Sequence, residues 1–136
     1  MHKVHLDSAV RPIAKICELI AKAYTSKQDN QIKEALTSIH KERIIENCFD
    51  YMINDEKVAP KAYSMTTLFM FGKEYDWVHP ELVLILERDF ALQSAAFKAR
   101  AKQILYKIKK DNEKLKAKKI VKVIRLIPKK QNPHSN

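Results

Sequence analysis

A chain of 136 residues, 46% of them hydrophobic and 31% charged, holds enough apolar side chains for one core and too little length for two ordinary domains. Its single glycine, Gly72, argues against architectures built on positive-φ turns, such as hairpin-rich sheets, phosphate-cradling loops and dinucleotide-binding units. The net charge of +10 is uneven: residues 1–93 carry 12 Lys and Arg against 14 Asp and Glu, while residues 94–136 carry 14 against 2. The body is therefore near neutral, and the basic character belongs to the last third.

Five segments have helical periodicity. In the first, Ile13, Ile16, Cys17, Ile20 and Tyr24 recur at helical spacing behind Asp7 or Ser8 as the N-cap candidate. The polar stretch "TSKQDNQIKEALTS" follows as the longest loop. Ile45, Cys48, Phe49 and Met52 form the second stripe. Val58, Ala62, Met65 and Phe69 form the third, which stops at Gly72 in a C′ position. The fourth opens at "VHPEL", where Pro80 suits the first turn and Glu81 the positive end of the dipole, and runs through Leu82, Ile85, Leu86 and Phe90. The fifth begins near Ser94 and carries Phe97, Ala101, Ile104, Leu105 and Ile108. Short connections predict antiparallel packing of successive helices.

A shift of 37 positions lays Leu82, Ile85, Leu86 and Phe90 on Ile45, Cys48, Phe49 and Ile53. The same shift lays Phe97, Ala99, Ile104 and Leu105 on Pro60, Ala62, Thr67 and Leu68. A shift of 48 takes Pro60, Ala62 and Leu68 to Pro12, Ala14 and Ile20. Helix pairs recurring at such periods are the pattern of an α-solenoid. "VRPIAKICELIAKAY" and "VAPKAYSMTTLFMFG" resemble second helices of HEAT/armadillo repeats, and "HKERIIENCFDYMIND" resembles a first helix. The stretch "EYDWVHPELVLILERDFALQSAAFKARAKQIL" is similar to a family of small bacterial helical-repeat proteins of undefined function, over roughly residues 3–110. The resemblance implies an all-α fold, a short right-handed α-solenoid of about five antiparallel-packed helices over residues 1–110, with a basic C-terminal helical extension at 111–136. It also implies that the chain opens on a second helix whose first-helix partner is missing. Ile13, Ile16 and Ile20 are then expected to be partly uncovered, as in a truncated chain, a homo-oligomer formed through that face, or a face covered by another part of this chain.

Members of that family are sometimes labelled adenylosuccinate lyase. Those enzymes resemble one another in a serine-bearing "SSxMPxKxNP" loop; here Ser64-Met65 falls inside a predicted helix and "IPKKQNP" lacks the serines. No lyase residue finds a counterpart, and no catalytic residue is assigned. The histidines His2, His5, His40, His79 and His134 are scattered, and His2, His5 and Asp7 match no closed metal-ligand spacing. The acidic pairs Asp55-Glu56, Glu74/Asp76 and Glu87/Asp89 read as caps and surface ion pairs. Cys17 and Cys48, each on an apolar stripe, read as free buried thiols. With no apolar leader and no run of about 20 apolar residues, the expected location is the cytoplasm, and neither cofactor nor metal is expected.

Binding candidates remain. Trp77, with Tyr75 and Phe71, reads as a plug in the turn between the third and fourth helices or as an anchor for a peptide. Lys98, Arg100, Lys102 and Lys109 form a basic ridge, with Arg100 expected to pair with an acidic residue such as Glu87 or Asp89. In "LKAKKIVKVIRLIPKK" the cations Lys116, Lys118, Lys119, Lys122, Arg125, Lys129 and Lys130 alternate with Ile120, Val121, Val123, Ile124 and Ile127 at helical spacing, up to a stop at Pro128. Such a helix caps its own domain or docks on a partner, grips nucleic acid, or lies on a membrane surface. The expected function is a non-enzymatic scaffold binding a protein partner; the alternative is a nucleic-acid-associated protein that uses the C-terminal basic segment.

Overall fold

The structure, a computed structural model, describes residues 7–54 and 57–129. They form α1 (Asp7–Thr25), α2 (Gln31–Ala35), α3 (Ser38–Ile53), α4 (Val58–Phe71), α5 (Val78–Asp89) and α6 (Ala95–Leu126), with a 3-10 turn at Phe90–Leu92. Among the described residues there is no strand, so the all-α class holds. The chain divides into two compact units, residues 1–105 and residues 106–136, and the division falls within α6. His2, His5, His134, Lys130 and the pair Asp55-Glu56 lie outside the described residues, as do the side chains of Asp7 and Ser8.

Helix boundaries follow local chemistry. The loop expected between the first two helices contains a further turn, the five-residue α2: Asn30 Oδ1 accepts from Lys33 N at 2.9 Å, so an ordinary N-cap suffices to start it. α3 begins with a reciprocal cap. Thr37 Oγ1 accepts from His40 N at 3.3 Å, while His40 Nδ1 accepts from Thr37 N at 3.2 Å. His40 thus fills the role usually taken by Glu or Gln. Ser94 Oγ accepts from Phe97 N at 3.2 Å at the head of α6. That helix ends at Leu126, two residues before Pro128.

Within residues 1–105, α4 is the element around which the others gather: α1, α3 and α5 all pack on it. Pro60, Ser64, Met65, Thr67, Leu68, Phe69 and Phe71 are buried along it. They cover well over half of its circumference, so α4 lacks the polar outer face of an ordinary surface helix. α3 contributes Ile45, Cys48 and Met52, α5 contributes Val78, Leu82 and Leu86, and α6 contributes Phe97, Ala101 and Ile104.

α1 departs from the expected stripe. Its buried residues are Val10, Ala14, Cys17, Glu18 and Ala21, whereas Ile13 and Ile16 are exposed. Small side chains at 14, 17 and 21 let the α1 backbone approach α4 closely, and the bulkier isoleucines are left on the outer side. Of the three residues expected to be partly uncovered, Ile13 and Ile16 are exposed and Ile20 is half-buried. Cys17 and Cys48 are free and buried. Their thiols are neighbours: the contact with Cys17, together with burial, pushes the Cys48 thiol up, while the hydrogen bond from Cys48 holds Cys17 down.

Gly72 is needed for space, not for backbone conformation. Its φ is −63°, in the right-handed region open to any residue. A Cβ there would overlap the imidazole of His79. That ring stacks on Phe69 at 5.4 Å between centroids, and its Nε2 lies 2.7 Å from the Phe69 carbonyl oxygen, which accepts. His79 therefore straps the first turn of α5 onto the end of α4. We predict that Gly72→Ala destabilises the protein by about 1–3 kcal/mol through overpacking. Phe71→Ala, at a fully buried position, should cost about 3–5 kcal/mol. Urea unfolding followed by circular dichroism measures both; a Gly72→Ala variant as stable as the parent would show that His79 yields without penalty.

Candidate functional site

Four features concentrate polar or exposed apolar chemistry: two ionic clusters, a groove beside Trp77 and the distal half of α6.

The first cluster centres on Glu18, which is 2% exposed on the α1 face turned toward α4. Lys15 Nζ donates to its Oε1 at 2.8 Å and Lys22 Nζ at 3.3 Å, one turn before and one turn after it. Arg100 Nη1 lies 3.6 Å from Oε2 and donates to Thr66 Oγ1 at 2.7 Å. Burial alone raises the carboxyl of Glu18, but the lysine ammonium groups outweigh it and hold the group below the usual carboxylate range. Arg100 pairs across helices as expected, with Glu18 instead of Glu87 or Asp89. Asp89 is taken by its neighbour, since Arg88 Nε donates to it at 2.7 Å.

The second cluster joins three segments. Lys41, near the start of α3 and 6% exposed, donates from Nζ to Tyr24 Oη and to Glu74 Oε1, both at 2.8 Å. Tyr24 Oη donates in turn to Glu74 Oε2 at 2.9 Å. The ammonium also sits 4.6 Å from the Tyr24 ring centroid. Desolvation opposes the charge on Lys41, yet Glu74 and Tyr24 more than offset it and raise its pKa well above the ordinary lysine value. Glu74 is correspondingly held low, its desolvation overcome by Lys41 and Tyr24. The first cluster ties α1 to α6, and the second ties α1 to α3 and to the turn after α4. They escape a reading by stripes because Glu18, Lys41 and Glu74 are individually ordinary surface residue types.

Trp77 does not plug the turn after α4. Phe71 and Val78 are fully buried there, and Trp77, 52% exposed, stacks outside them on Phe49 with centroids 5.6 Å apart. The pair walls a groove of about 390 Å³ between α3 and α5. Phe49, Ile53, Trp77 and Ile85 supply its apolar surface, and Glu46, Asp50 and Glu81 stand around it. On α3 the positions 46, 49/50 and 53 share one face, and on α5 the positions 81 and 85 share another, so the groove is bounded by two helical ridges. Apart from Trp77, the sequence pointed to none of these residues as site residues, because Phe49 and Ile85 also belong to the core stripes.

The basic ridge is divided. Arg100 turns into the ionic cluster at Glu18, whereas the ammonium groups of Lys98 and Lys102 lie 5.7 and 5.9 Å from the Phe90 ring centroid. Lys109, Lys116, Lys118, Lys119, Lys122, Arg125 and Lys129 are exposed. The buried stripe of α6 runs Phe97, Ala101, Ile104, Ile108. Continued at the same spacing it meets Asp111, Leu115, Lys119 and Lys122, three of them charged. The distal aliphatics Ile120, Val121, Val123, Ile124 and Ile127 centre about 140° further round, at 3.6 residues per turn. They are 42% to 60% exposed. Lys119 borders this second stripe on one side and Arg125 on the other.

Among the described residues no helix is long and apolar enough to cross a membrane, and no group of three or more His, Cys, Asp or Glu is placed to hold a metal ion.

The depressed carboxyls set a pH dependence. A carboxyl whose folded pKa lies below its unfolded value stabilises the fold above the ordinary carboxylate range, and the contribution fades as pH falls through it. Stability supplied by Glu18 and Glu74 should thus be complete at pH 7 and decline below about pH 4.3. Glu18→Gln is expected to lower the melting temperature at pH 7 by several degrees and to flatten the decline in acid. Thermal melts between neutral and acidic pH check this, and identical acid profiles for parent and variant would contradict it.

In comparisons by sequence and by structure, no protein-family model, no curated protein and no solved structure matches this chain.

Proposed function

We propose that the chain is a non-enzymatic helical-repeat interaction module, a short HEAT/armadillo-like α-solenoid, that engages a protein partner through the second stripe of α6. The repeat reading is supported by burial: at the shift of 37, Lys41, Ile45 and Cys48 fall on Val78, Leu82 and Ile85, and every one of the six is buried. Pro60, Ser64, Thr67 and Phe71 fall likewise on Phe97, Ala101, Ile104 and Ile108, again all buried. The packing of α1 on α4 and of α3 on α5 agrees with helices stacked in two layers. Two free buried thiols accord with a reducing cytoplasm as its place of work.

The observation that carries the functional reading is the exposed aliphatic stripe between two cationic edges. A phosphate backbone would use the cations and leave five aliphatic side chains in water. A protein groove with an apolar floor and acidic margins uses both. The alternative, nucleic-acid association, draws on the excess of 14 basic over 2 acidic residues in positions 94–136.

Two variants separate these readings. Ile120→Ser/Ile124→Ser/Ile127→Ser removes the aliphatic stripe and keeps the charge, while Lys118→Glu/Lys122→Glu reverses charge on the opposite face. Quantitative cross-linking in extract of the source organism, after nuclease treatment, should show the same partner with the parent and the charge variant, and at least a tenfold loss with the aliphatic variant. Fluorescence anisotropy with DNA and RNA at two salt concentrations reports the alternative. Strong binding lost only in the charge variant, with no partner recovered, would replace the protein reading by the nucleic-acid one.

A further inference from the structure

An apolar groove with acidic margins and an apolar helix face with cationic edges are both present in this chain. The groove between α3 and α5 has an apolar surface of Phe49, Ile53, Trp77 and Ile85 with Glu46, Asp50 and Glu81 around it. The distal half of α6 offers a narrow aliphatic stripe bordered by Lys119 and Arg125. We infer that the groove is a docking site for the distal α6 segment, residues 117–127, of a second copy of this chain. The inference rests on the reading of α6 as the interaction helix, and it names that helix's partner.

Chemical fit is the first argument. An amphipathic helix lays its apolar face into a groove through anchors spaced three, four or seven residues apart, and Ile120, Ile124 and Ile127 have that spacing. The volume of about 390 Å³ is that of a small preformed pocket. It suits a few aliphatic side chains and is too small for a folded domain. Trp77 and Ile53 are about half exposed, at 52% and 54%, so the site presents apolar surface to an incoming helix.

Charge is the second. A zipper of two α6 segments lying side by side would also cover the aliphatic stripes. It would bring together two segments that each hold Lys114, Lys116, Lys118, Lys119, Lys122 and Arg125, with Glu113 as the sole acid between 112 and 129. Like charges at such distances disfavour the pairing. Three carboxylate side chains around the groove give the same cations an opposite-charge margin. A groove and such a helix on every chain make the pairing self-complementary, as a reciprocal contact between two copies requires.

A charge exchange tests this on the full chain. Glu46→Lys/Glu81→Lys makes the groove margin basic, and Lys119→Glu/Arg125→Glu makes the helix margin acidic; all four positions are exposed. Circular dichroism confirms that both variants fold. Analytical ultracentrifugation of nuclease-treated protein at about 100 μM, where a dimer of micromolar affinity is almost fully formed, should give a dimer for the parent. Each variant alone should be a monomer, with dimerisation weakened at least tenfold. Mixed one to one, they should form a heterodimer, because each helix then meets a margin of opposite sign. Raising the salt concentration should loosen the parent dimer.

A monomeric parent overturns the inference and leaves the α6 reading to the cross-linking experiment. A dimer lost in Lys119→Glu/Arg125→Glu but kept in Glu46→Lys/Glu81→Lys, with no gain on mixing, keeps α6 as the interaction helix and removes the groove as its acceptor. A dimer that survives both variants and dissociates on Ile16→Asp places the contact on the exposed α1 face, and the inference fails.

Discussion

α4 has almost no side it can leave to water. Residues at 60, 61, 64, 65, 67, 68, 69 and 71 are all buried, and a helix so covered must be enclosed by neighbours before its own apolar surface is removed from solvent. α1, α3 and α5 supply that enclosure. The rest of the body follows from accommodating them at close range. Ala14, Cys17 and Ala21 thin the α1 face, and Gly72 clears the space where His79 returns to the Phe69 carbonyl. Small residues on α1 meet larger ones on α4, and large and small side chains alternate elsewhere in the core, as native packing density requires.

Close packing around one helix draws polar groups into the interior, and the two ionic clusters are the answer to that. Glu18 is buried because it lies beside Cys17 and one turn from Ala14 and Ala21 on the face that meets α4. An isolated buried carboxylate would be costly. Lys15 and Lys22 come from its own helix and Arg100 from α6, so the charge is balanced from both sides of the seam. Lys41 is met in the same way by Tyr24 and Glu74. Such pairs add little net stability compared with apolar packing but penalise any arrangement that separates the partners. They restrict which helix faces which, a useful property where the apolar surface is broad and not selective.

Much of this was legible in the sequence. Long stripes ending at Gly72, the Pro80-Glu81 helix start and the stop before Pro128 are local signals, and each lies where spacing and propensity place it. What escaped the sequence was set by distance along the chain. The spacing on α1 picks out Ile13, Ile16, Cys17, Ile20 and Tyr24; Cys17 is buried, but backbone proximity to α4 selects Ala14 and Ala21 beside it in place of Ile13 and Ile16. Arg100 was expected to find a partner nearby, and its partner lies 82 positions away at Glu18. The groove was hidden for a related reason. Phe49 and Ile85 look like core on their own helices, and only the juxtaposition of α3 and α5 leaves part of them beside Trp77 facing outward.

The two stripes of α6 bear on why the helix is 32 residues long. Burying Phe97, Ala101, Ile104 and Ile108 needs about three turns at 3.6 residues per turn. Nothing in those contacts calls for the turns that follow, where the buried face gives way to Asp111, Lys119 and Lys122. A helix continued only for solubility would be polar all round. This one instead opens a second apolar face on a different side and borders it with cations, although β-branched Ile and Val are among the weaker helix formers. Ile120, Val121, Val123 and Ile124 lie within the helix, cost it propensity and expose apolar surface to water on one face. That face differs from the one on which Phe97, Ala101, Ile104 and Ile108 are buried. One continuous helix therefore carries two apolar stripes on different sides, and only the first of them is removed from solvent.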